Sequence, residues 1–208
     1  KMEKTKALAT LPPLFSQGAM EKTVATLSSA KLQGRGLGTK ELDDAASYIA
    51  NSFKEAGLSP CGVEKGSYFQ RWKVHTGEPK REMELTNVCA MLKGTNPQMA
   101  REFIVIGAHY DHLGKGWPDV RKGNRGLIHP GADDNASGIA VMLEVAKVMA
   151  QSKEVARNIL FCAFTGEEDG LRGSKHFVKN PPLPLNKCQA MINLDTVGRL
   201  FDKKLLVL

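Results

Sequence analysis

The sequence has no hydrophobic run long enough to cross a membrane. Its longest apolar stretches, residues 103–108 and 159–164, are far shorter than the roughly 20 residues that a membrane-spanning helix requires. No apolar signal-peptide core follows the first residues, Lys1 to Lys4. We therefore predict no membrane span, and we expect that any export signal has been removed or never existed.

Paired cysteines are also lacking. Cys61, Cys89, Cys162 and Cys188 are far apart and form no C-x-x-C pair, which argues against a structural zinc site built from thiolates. Cys89 and Cys162 lie inside apolar runs, where buried and unreactive thiols are expected. The sequence does not decide whether any two of the four form a disulfide.

A dense block of positive charge is absent as well. The formal net charge is +7, but the basic residues are scattered from Lys1 to Lys204. This distribution favours a solvated basic surface over a nucleic-acid partner. The 208 residues, 42% of them hydrophobic and 25% charged, predict a single globular domain over residues 1–208.

The order of the predicted elements indicates an α/β fold. Apolar runs typical of strands that are covered on both faces alternate with amphipathic helices in the second half of the chain. This order implies parallel strands joined by helical crossovers. The predicted helices are 19–30, 40–56 (capped by Thr39), 137–150 and 171–178; the predicted strands are 67–74, 83–92, 103–108, 158–164 and 188–194. A last apolar run, 205–208, has the pattern of a further strand.

Acidic residues and a histidine follow the ends of the three predicted parallel strands. Ligands bind beyond the carboxyl ends of the strands in open α/β sheets, so these groups are expected to converge. Clustered carboxylates repel one another unless a cation or a proton neutralises them. We therefore predict a metal site. Its candidate residues are His109 and Asp111 after the first strand, Glu167 and Glu168 after the second, Asp195 after the third, and Asp134 in the loop 131–138.

Each of these groups also has an ordinary structural explanation. His109 could be a buried, hydrogen-bonded histidine, Asp133 or Asn135 could cap the following helix, and Glu167 with Glu168 could form a solvated turn. The combination of one histidine with four carboxylates instead favours zinc, which accepts mixed nitrogen and oxygen ligands. Two zinc ions about 3.5–4 Å apart could hold a water, lower its pKa and polarise a carbonyl.

Four sequence strings resemble those of a known family. GAHYDHLG, PGADDNASGIA, GEEDGLRGS and NLDTVGR are similar to motifs of the M28 zinc peptidases, which include bacterial aminopeptidases with a co-catalytic zinc pair. GRGLGT, EAGL and NVCAMLKG resemble that family's N-terminal portion. The resemblance implies a three-layer α/β/α fold with a mixed, largely parallel central sheet, as in zinc exopeptidases and phosphorylase/hydrolase-like proteins.

The resemblance also implies a role for each candidate residue. His109 and Asp195 become ligands of one zinc ion, Glu168 becomes a ligand of the other, and Asp134 bridges the two. Glu167 becomes the general base, which takes a proton from the bridging water and passes it to the leaving amine. Asp111 orients His109. A cis peptide between Asp134 and Asn135 is implied as well.

The sequence departs from the family at the second zinc site. In the family, the ion held by the counterpart of Glu168 also takes a histidine from late in the domain, and no residue follows Leu208 here. The other histidines are predicted not to bind metal, and strand alternation turns His112 away from His109. They are His75, His112, His129 and His176. We expect a truncated peptidase, incomplete at its C-terminus and lacking much of its substrate pocket.

The expected activity is that of a zinc aminopeptidase acting on peptides with a free N-terminus. The alternatives are a carboxypeptidase, a glutaminyl cyclase of the same family, or a non-catalytic fragment that binds one ion. Asp134 together with the pair Glu167 and Glu168 favours hydrolysis, because a one-metal cyclase has no obvious use for both. The resemblance also implies a secreted or periplasmic location. Side-chain specificity and oligomeric state are not indicated by the sequence.

Overall fold

The described part of the chain contains four α-helices and six strands, together with four shorter helical segments. The structure is a computed structural model that describes residues 14–64, 66–120, 123–152 and 155–199. The helices are α1 (Gln17–Leu27), α2 (Lys40–Glu55), α3 (Gly138–Gln151) and α4 (Arg172–Lys179). The strands are β1 (Ser59–Pro60), β2 (Phe69–Thr76), β3 (Arg81–Leu92), β4 (Phe103–His109), β5 (Asn158–Phe164) and β6 (Cys188–Asn193). The predicted run 205–208 lies outside the described residues.

The strands form one mixed, open sheet. Its order is β1-β3-β5-β4-β6, and β2 pairs with β3 beside this path. β4 is parallel to both β5 and β6, whereas β3 is antiparallel to β1, β2 and β5. The parallel part is the segment in which strands and helices alternate along the chain, as predicted. The carboxyl ends of β4, β5 and β6 therefore meet at one edge of the sheet.

Helices cover both faces of the sheet, which confirms the predicted three-layer α/β/α fold. Alternate residues of β5 enter two separate apolar clusters. On one face, Phe161 packs against Phe53 of α2 at a centroid distance of 6.1 Å. On the other face, Phe164 packs edge-on against Phe177 of α4 at 5.7 Å. Burying each such ring contributes about 1.5–3 kcal/mol, so β5 is held firmly from both sides.

Helix α2 is formed as its sequence predicts. The Thr39 side chain accepts a hydrogen bond from the backbone N–H of Leu42, which satisfies one of the free donors at the start of the helix. Residues at helical spacing, including Ile49 and Phe53, are fully buried against the sheet. Among the described residues, no helix is both long and apolar enough to cross a membrane.

Strand β6 lies at the edge of the described sheet. It pairs with β4 alone, and Met191 and Ile192 are each about half exposed, at 51% and 52%. These two side chains point to opposite faces of the sheet. The described residues therefore leave both faces of β6 largely uncovered, in contrast to β4 and β5.

Candidate metal centre

His109 stands at the centre of the site. It is the last residue of β4 and is 3% exposed. Its Nε2 atom is 3.0 Å from Asp134 Oδ1 and 3.6 Å from Asp195 Oδ1. Glu167 Oε2 is 4.0 Å from the same nitrogen. The ends of β4, β5 and β6 and the loop before α3 thus bring together the residues expected from the sequence.

Asn135 fixes the acidic loop against the end of β6. The loop Ala132–Ser137 precedes α3 and contains a cis peptide between Asp134 and Asn135, as the resemblance implied. The Asn135 Oδ1 atom accepts hydrogen bonds from the N–H groups of Gly138, at 3.0 Å, and Thr196, at 3.2 Å. Its Nδ2 atom donates to the Leu194 carbonyl at 2.9 Å. Asn135 therefore caps α3 and also sets Asp134 opposite Asp195.

Asp133 does not contribute to this cluster. Its Oδ1 accepts from the Gly198 N–H at 2.8 Å, and its Oδ2 lies 3.1 Å from Arg199 Nε. The Asp133 side chain thus binds the segment that follows β6, at Gly198 and Arg199. Of the two helix caps considered from the sequence, Asn135 is the one that the structure shows at the N–H of Gly138.

Asp111 connects His109 with the loop that carries the two glutamates. Its backbone carbonyl is 3.2 Å from His109 Nδ1, and its carboxylate Oδ1 is 3.7 Å from the same atom. The shorter contact is the hydrogen bond. The Asp111 carboxylate accepts from the N–H groups of Glu167, at 3.1 Å, and Glu168, at 3.4 Å. Because the Asp111 side chain is buried and makes these contacts, it positions the backbone of Glu167 and Glu168.

His112 lies beside Glu168 and Asp134, although the sequence predicted that it turns away from His109 and does not bind metal. Its Nδ1 atom is 2.6 Å from Glu168 Oε1. Ligand atoms of His112, Asp134 and Glu168 all lie within 4.8 Å of one another. The prediction extended strand alternation to residue 112, but β4 ends at His109. Beyond it the chain is irregular, and the His112 N–H donates to the Arg35 carbonyl at 3.1 Å.

The described structure thus contains two groups of potential metal ligands that share Asp134. The first consists of His109, Asp134 and Asp195, and the second of His112, Asp134 and Glu168. The remaining histidines belong to neither group. His75 is exposed on β2, His129 contacts the Asn124 carbonyl at 3.2 Å, and His176 stacks on Trp72 at 4.1 Å.

The carboxylates around His109 make the site attractive to cations. Burial disfavours a charged ring, but contacts with Asp111, Asp134 and Asp195 outweigh burial and raise the pKa of His109 to about 12. The contact with His109 in turn lowers the pKa of Asp134. Burial raises the pKa of Glu167, and the negative charge of Glu168 acts in the same direction. These pKa shifts show that the site stabilises an added positive charge.

The residues fit zinc ions. His109 Nδ1 faces the Asp111 carbonyl, which can only accept, so Nδ1 carries the proton and Nε2 of a neutral ring is a lone pair. This lone pair faces Asp134 Oδ1, a buried oxygen that has no partner with hydrogen-bond geometry in the described part of the chain. Two electron-rich atoms 3.0 Å apart require a cation or a proton between them. Mixed imidazole and carboxylate ligands suit zinc.

Arg35 contributes to the site and was not predicted from the sequence. Its guanidinium is fully buried and donates to the carbonyls of Tyr110, at 2.7 Å, and of Pro130 and Gly131, both at 2.9 Å. It also donates to the carbonyl of Leu27. Arg35 thus ties together the loop of His112 and the loop of Asp134. Its one sequence signal is a basic residue inside the glycine-rich string GRGLGT.

The three-layer α/β fold gathers a histidine and carboxylates at the ends of parallel strands, where they form a candidate metal centre. The sequence model described as Peptidase family M28 matches residues 87–206. The chain belongs to the M28 peptidase family. The curated relatives include a probable zinc metalloprotease and an aminopeptidase.

Two curated relatives illustrate this membership. A probable zinc metalloprotease of Pyrenophora teres f. teres is 34% identical over 179 residues, which is 83% of this chain and 35% of that protein. Aminopeptidase YwaD of Bacillus subtilis is 36% identical over 157 residues, which is 73% of this chain and 31% of that protein. The chain therefore spans about a third of the length of the curated relatives that it matches.

Solved structures support the fold. A Zn-dependent exopeptidase from Parabacteroides distasonis has a TM-score of 0.70 at 20% identity, over 88% of this chain and 62% of that one. Glutaminyl cyclase from Porphyromonas gingivalis has a TM-score of 0.71 at 22% identity, over 89% of this chain and 62% of that one. The shared fold is thus used both by peptidases and by cyclases.

Proposed function

We propose that the protein is a zinc-dependent aminopeptidase that hydrolyses the first peptide bond of its substrates. The observation that carries this proposal is the position of Glu167 beside the group formed by His109, Asp134 and Asp195. The aminopeptidase among the relatives supports the same reaction class. Zinc, when bound, supplies a Lewis acid that polarises a carbonyl and lowers the pKa of water.

Glu167 is suited to move the proton in this reaction. Its carboxylate is one-third exposed, so it can reach substrate and solvent, yet its backbone is fixed by the Asp111 carboxylate. Burial raises its pKa above the ordinary value for glutamate, which brings it closer to neutral pH. Glu167 takes a proton from the attacking water and delivers it to the leaving amine.

The aminopeptidase among the curated relatives supports a substrate with a free N-terminus, and it therefore favours aminopeptidase over carboxypeptidase activity.

We further propose that the site holds two zinc ions that share Asp134. The two ligand groups and their common aspartate support this number. His112 supplies the nitrogen for the second ion in the described chain, since its Nδ1 already contacts the Glu168 carboxylate. Substituting His112→Ala is expected to reduce the bound zinc from two ions to one per chain, measured by atomic emission after dialysis. His75→Ala, at an exposed strand position, should keep both ions.

Substitution of the proposed base tests the reaction. Glu167→Gln keeps the size of the side chain but removes its basicity, so the release of an amino-acid anilide should fall about 10²–10⁴-fold. Zinc content should stay unchanged, because Glu167 belongs to neither ligand group. Glu55→Gln, at the exposed end of α2, is the matched control and should keep full activity. Equal activity of the native protein and Glu167→Gln would refute the proposal.

Glutaminyl cyclase activity is the second candidate, and the structural similarity to a cyclase favours it. A cyclase releases ammonia from peptides that begin with glutamine, whereas an aminopeptidase releases the free amino acid. Incubation of a glutamine-initiated peptide followed by mass spectrometry separates the two. If the zinc-loaded protein does neither, the site is a non-catalytic metal site.

A further inference from the structure

The four cysteines lie together in the fold although they are far apart in sequence. The second apolar cluster includes Cys61, Cys89 and Cys162, and Cys188 packs against it. All four are free thiols in the structure, and Cys89 and Cys162 are completely buried. This grouping is separate from the metal centre and is not required by the proposed hydrolysis.

Cys89 and Cys162 are directly opposite each other on neighbouring antiparallel strands. Their register pairs Cys89 of β3 with Cys162 of β5, and the two Sγ atoms are 3.5 Å apart. The side chains therefore point to the same face of the sheet and toward each other. By contrast, the Cys188 thiol donates to the Ala190 carbonyl at 3.4 Å.

The backbone around Cys89 shows which kind of strand pair this is. The Cys89 N–H donates to the Tyr68 carbonyl at 2.7 Å, and the Cys89 carbonyl accepts from the Cys61 N–H at 3.1 Å. Both backbone groups thus bond away from β5, so Cys89 and Cys162 form a non-hydrogen-bonded pair. Such pairs have Cα atoms about 4.5 Å apart, which is inside the range of about 4.4–6.8 Å for disulfides.

We propose that Cys89 and Cys162 form a cross-strand disulfide when the protein folds in the presence of a disulfide oxidant such as oxidised glutathione. The opposite register, the sulfur contact and the close backbone spacing carry this inference. It is independent of the proposed peptidase activity.

The chemistry is ordinary thiol–disulfide exchange. One cysteine thiolate attacks a sulfur of oxidised glutathione, which forms a mixed disulfide and releases one glutathione thiolate. The second cysteine thiolate attacks the protein sulfur of the mixed disulfide and releases the other glutathione. Two cysteine thiols are oxidised, one glutathione disulfide is reduced to two thiols, and the two cysteine protons end on the glutathione thiolates.

This exchange occurs during folding, before β3 and β5 close over the sulfurs. Neither thiol is exposed in the folded protein, and burial raises the pKa of Cys162, so the folded thiol is a poor nucleophile. The bond then links positions 73 residues apart, a long loop whose closure restricts the unfolded chain. It joins β3 to the strand that leads to Glu167.

Peptide mapping of the refolded protein tests the inference without a substitution. The protein is refolded from denaturant with a mixture of oxidised and reduced glutathione, alkylated under denaturing conditions and digested. We expect a linked pair of peptides that contain Cys89 and Cys162, with Cys61 and Cys188 alkylated. Four alkylated cysteines, or a link that includes Cys61 or Cys188, would overturn the proposal.

Unfolding measurements provide a second readout. Protein refolded with glutathione should unfold at a higher urea concentration than the same protein treated with dithiothreitol. The double variant Cys61→Ala/Cys188→Ala should keep this difference, and Cys89→Ala/Cys162→Ala should lose it. A difference of equal size in both double variants would contradict a Cys89–Cys162 bond.

Discussion

At the scale of single residues, the environment of His109 makes zinc and a proton compete for the same place. The surrounding carboxylates raise the pKa of His109 to about 12 in the metal-free protein. The ring is therefore protonated at neutral pH, whereas a metal-bound imidazole must be neutral. Binding of the first zinc ion is expected to release this proton.

The proton release predicts how zinc affinity depends on pH. Because the raised pKa means that the ring keeps its proton at every pH below about 12, affinity should increase with pH, by about tenfold per unit for one released proton. Isothermal titration calorimetry in buffers with different ionisation enthalpies measures the number of protons released. A binding heat that is the same in all buffers would show that His109 is neutral before zinc binds.

Arg35 has no chemical role in the proposed reaction, but its hydrogen bonds hold the loops that carry His112 and Asp134. Replacing it with Met leaves the carbonyls of Tyr110, Pro130 and Gly131 without their buried donor. We expect Arg35→Met to lower the free energy of unfolding by about 3 kcal/mol or more, measured by urea denaturation of the metal-free protein. Arg125→Met is the control and should change it by less than about 0.5 kcal/mol, because Arg125 and its partner Glu78 are exposed. A small effect at Arg35 would mean that water replaces the guanidinium.

At the scale of secondary-structure elements, the start of α3 sets the acidic loop against β6. A Cβ atom at Gly138 would overlap Asn135 Oδ1 and the Leu194 carbonyl oxygen. The Asn135 Nδ2 group donates a hydrogen bond to that same carbonyl. We expect Gly138→Ala to separate the acidic loop from Asp195 and to weaken zinc binding about tenfold or more, with a loss of about 1–3 kcal/mol in stability. Calorimetric titration with zinc and urea denaturation measure the two effects.

Gly18→Ala is the matched control for that substitution. A Cβ atom at Gly18 has no heavy atom within 4 Å, and the residue lies in helix α1. The alanine should leave zinc affinity unchanged and should stabilise the protein by up to about 0.5–1 kcal/mol. If both glycine variants bind zinc as tightly as the native protein, the contact between α3 and β6 does not position Asp195.

Sequence patterns predicted the elements well because buried strands and amphipathic helices leave strong local signals. The predicted strand 158–164 coincides with β5, and the predicted helix 40–56 differs from α2 by one residue. Local patterns failed where the chain stops being regular. The position of His112 depends on the strand ending at His109, and that end is set by long-range bonds such as the one from the His112 N–H to the Arg35 carbonyl.

At the scale of the whole molecule, the candidate metal centre results from the topology of the sheet. β4 pairs with β5 and β6 on its two sides. His109, Glu167 and Asp195 therefore meet at one edge of the sheet, although His109 and Asp195 are more than 80 residues apart in the sequence. The sequence could indicate this convergence because crossovers between parallel strands place their carboxyl ends together. It could not indicate the role of Arg35, whose partners lie in three different segments.

The most direct test of the account is the position of zinc in crystals of the zinc-loaded protein, located by anomalous scattering at the zinc absorption edge. We predict an anomalous peak about 2.0–2.2 Å from His109 Nε2 and from one oxygen each of Asp134 and Asp195. A map with full zinc occupancy elsewhere and no peak between these three side chains would contradict the central claim.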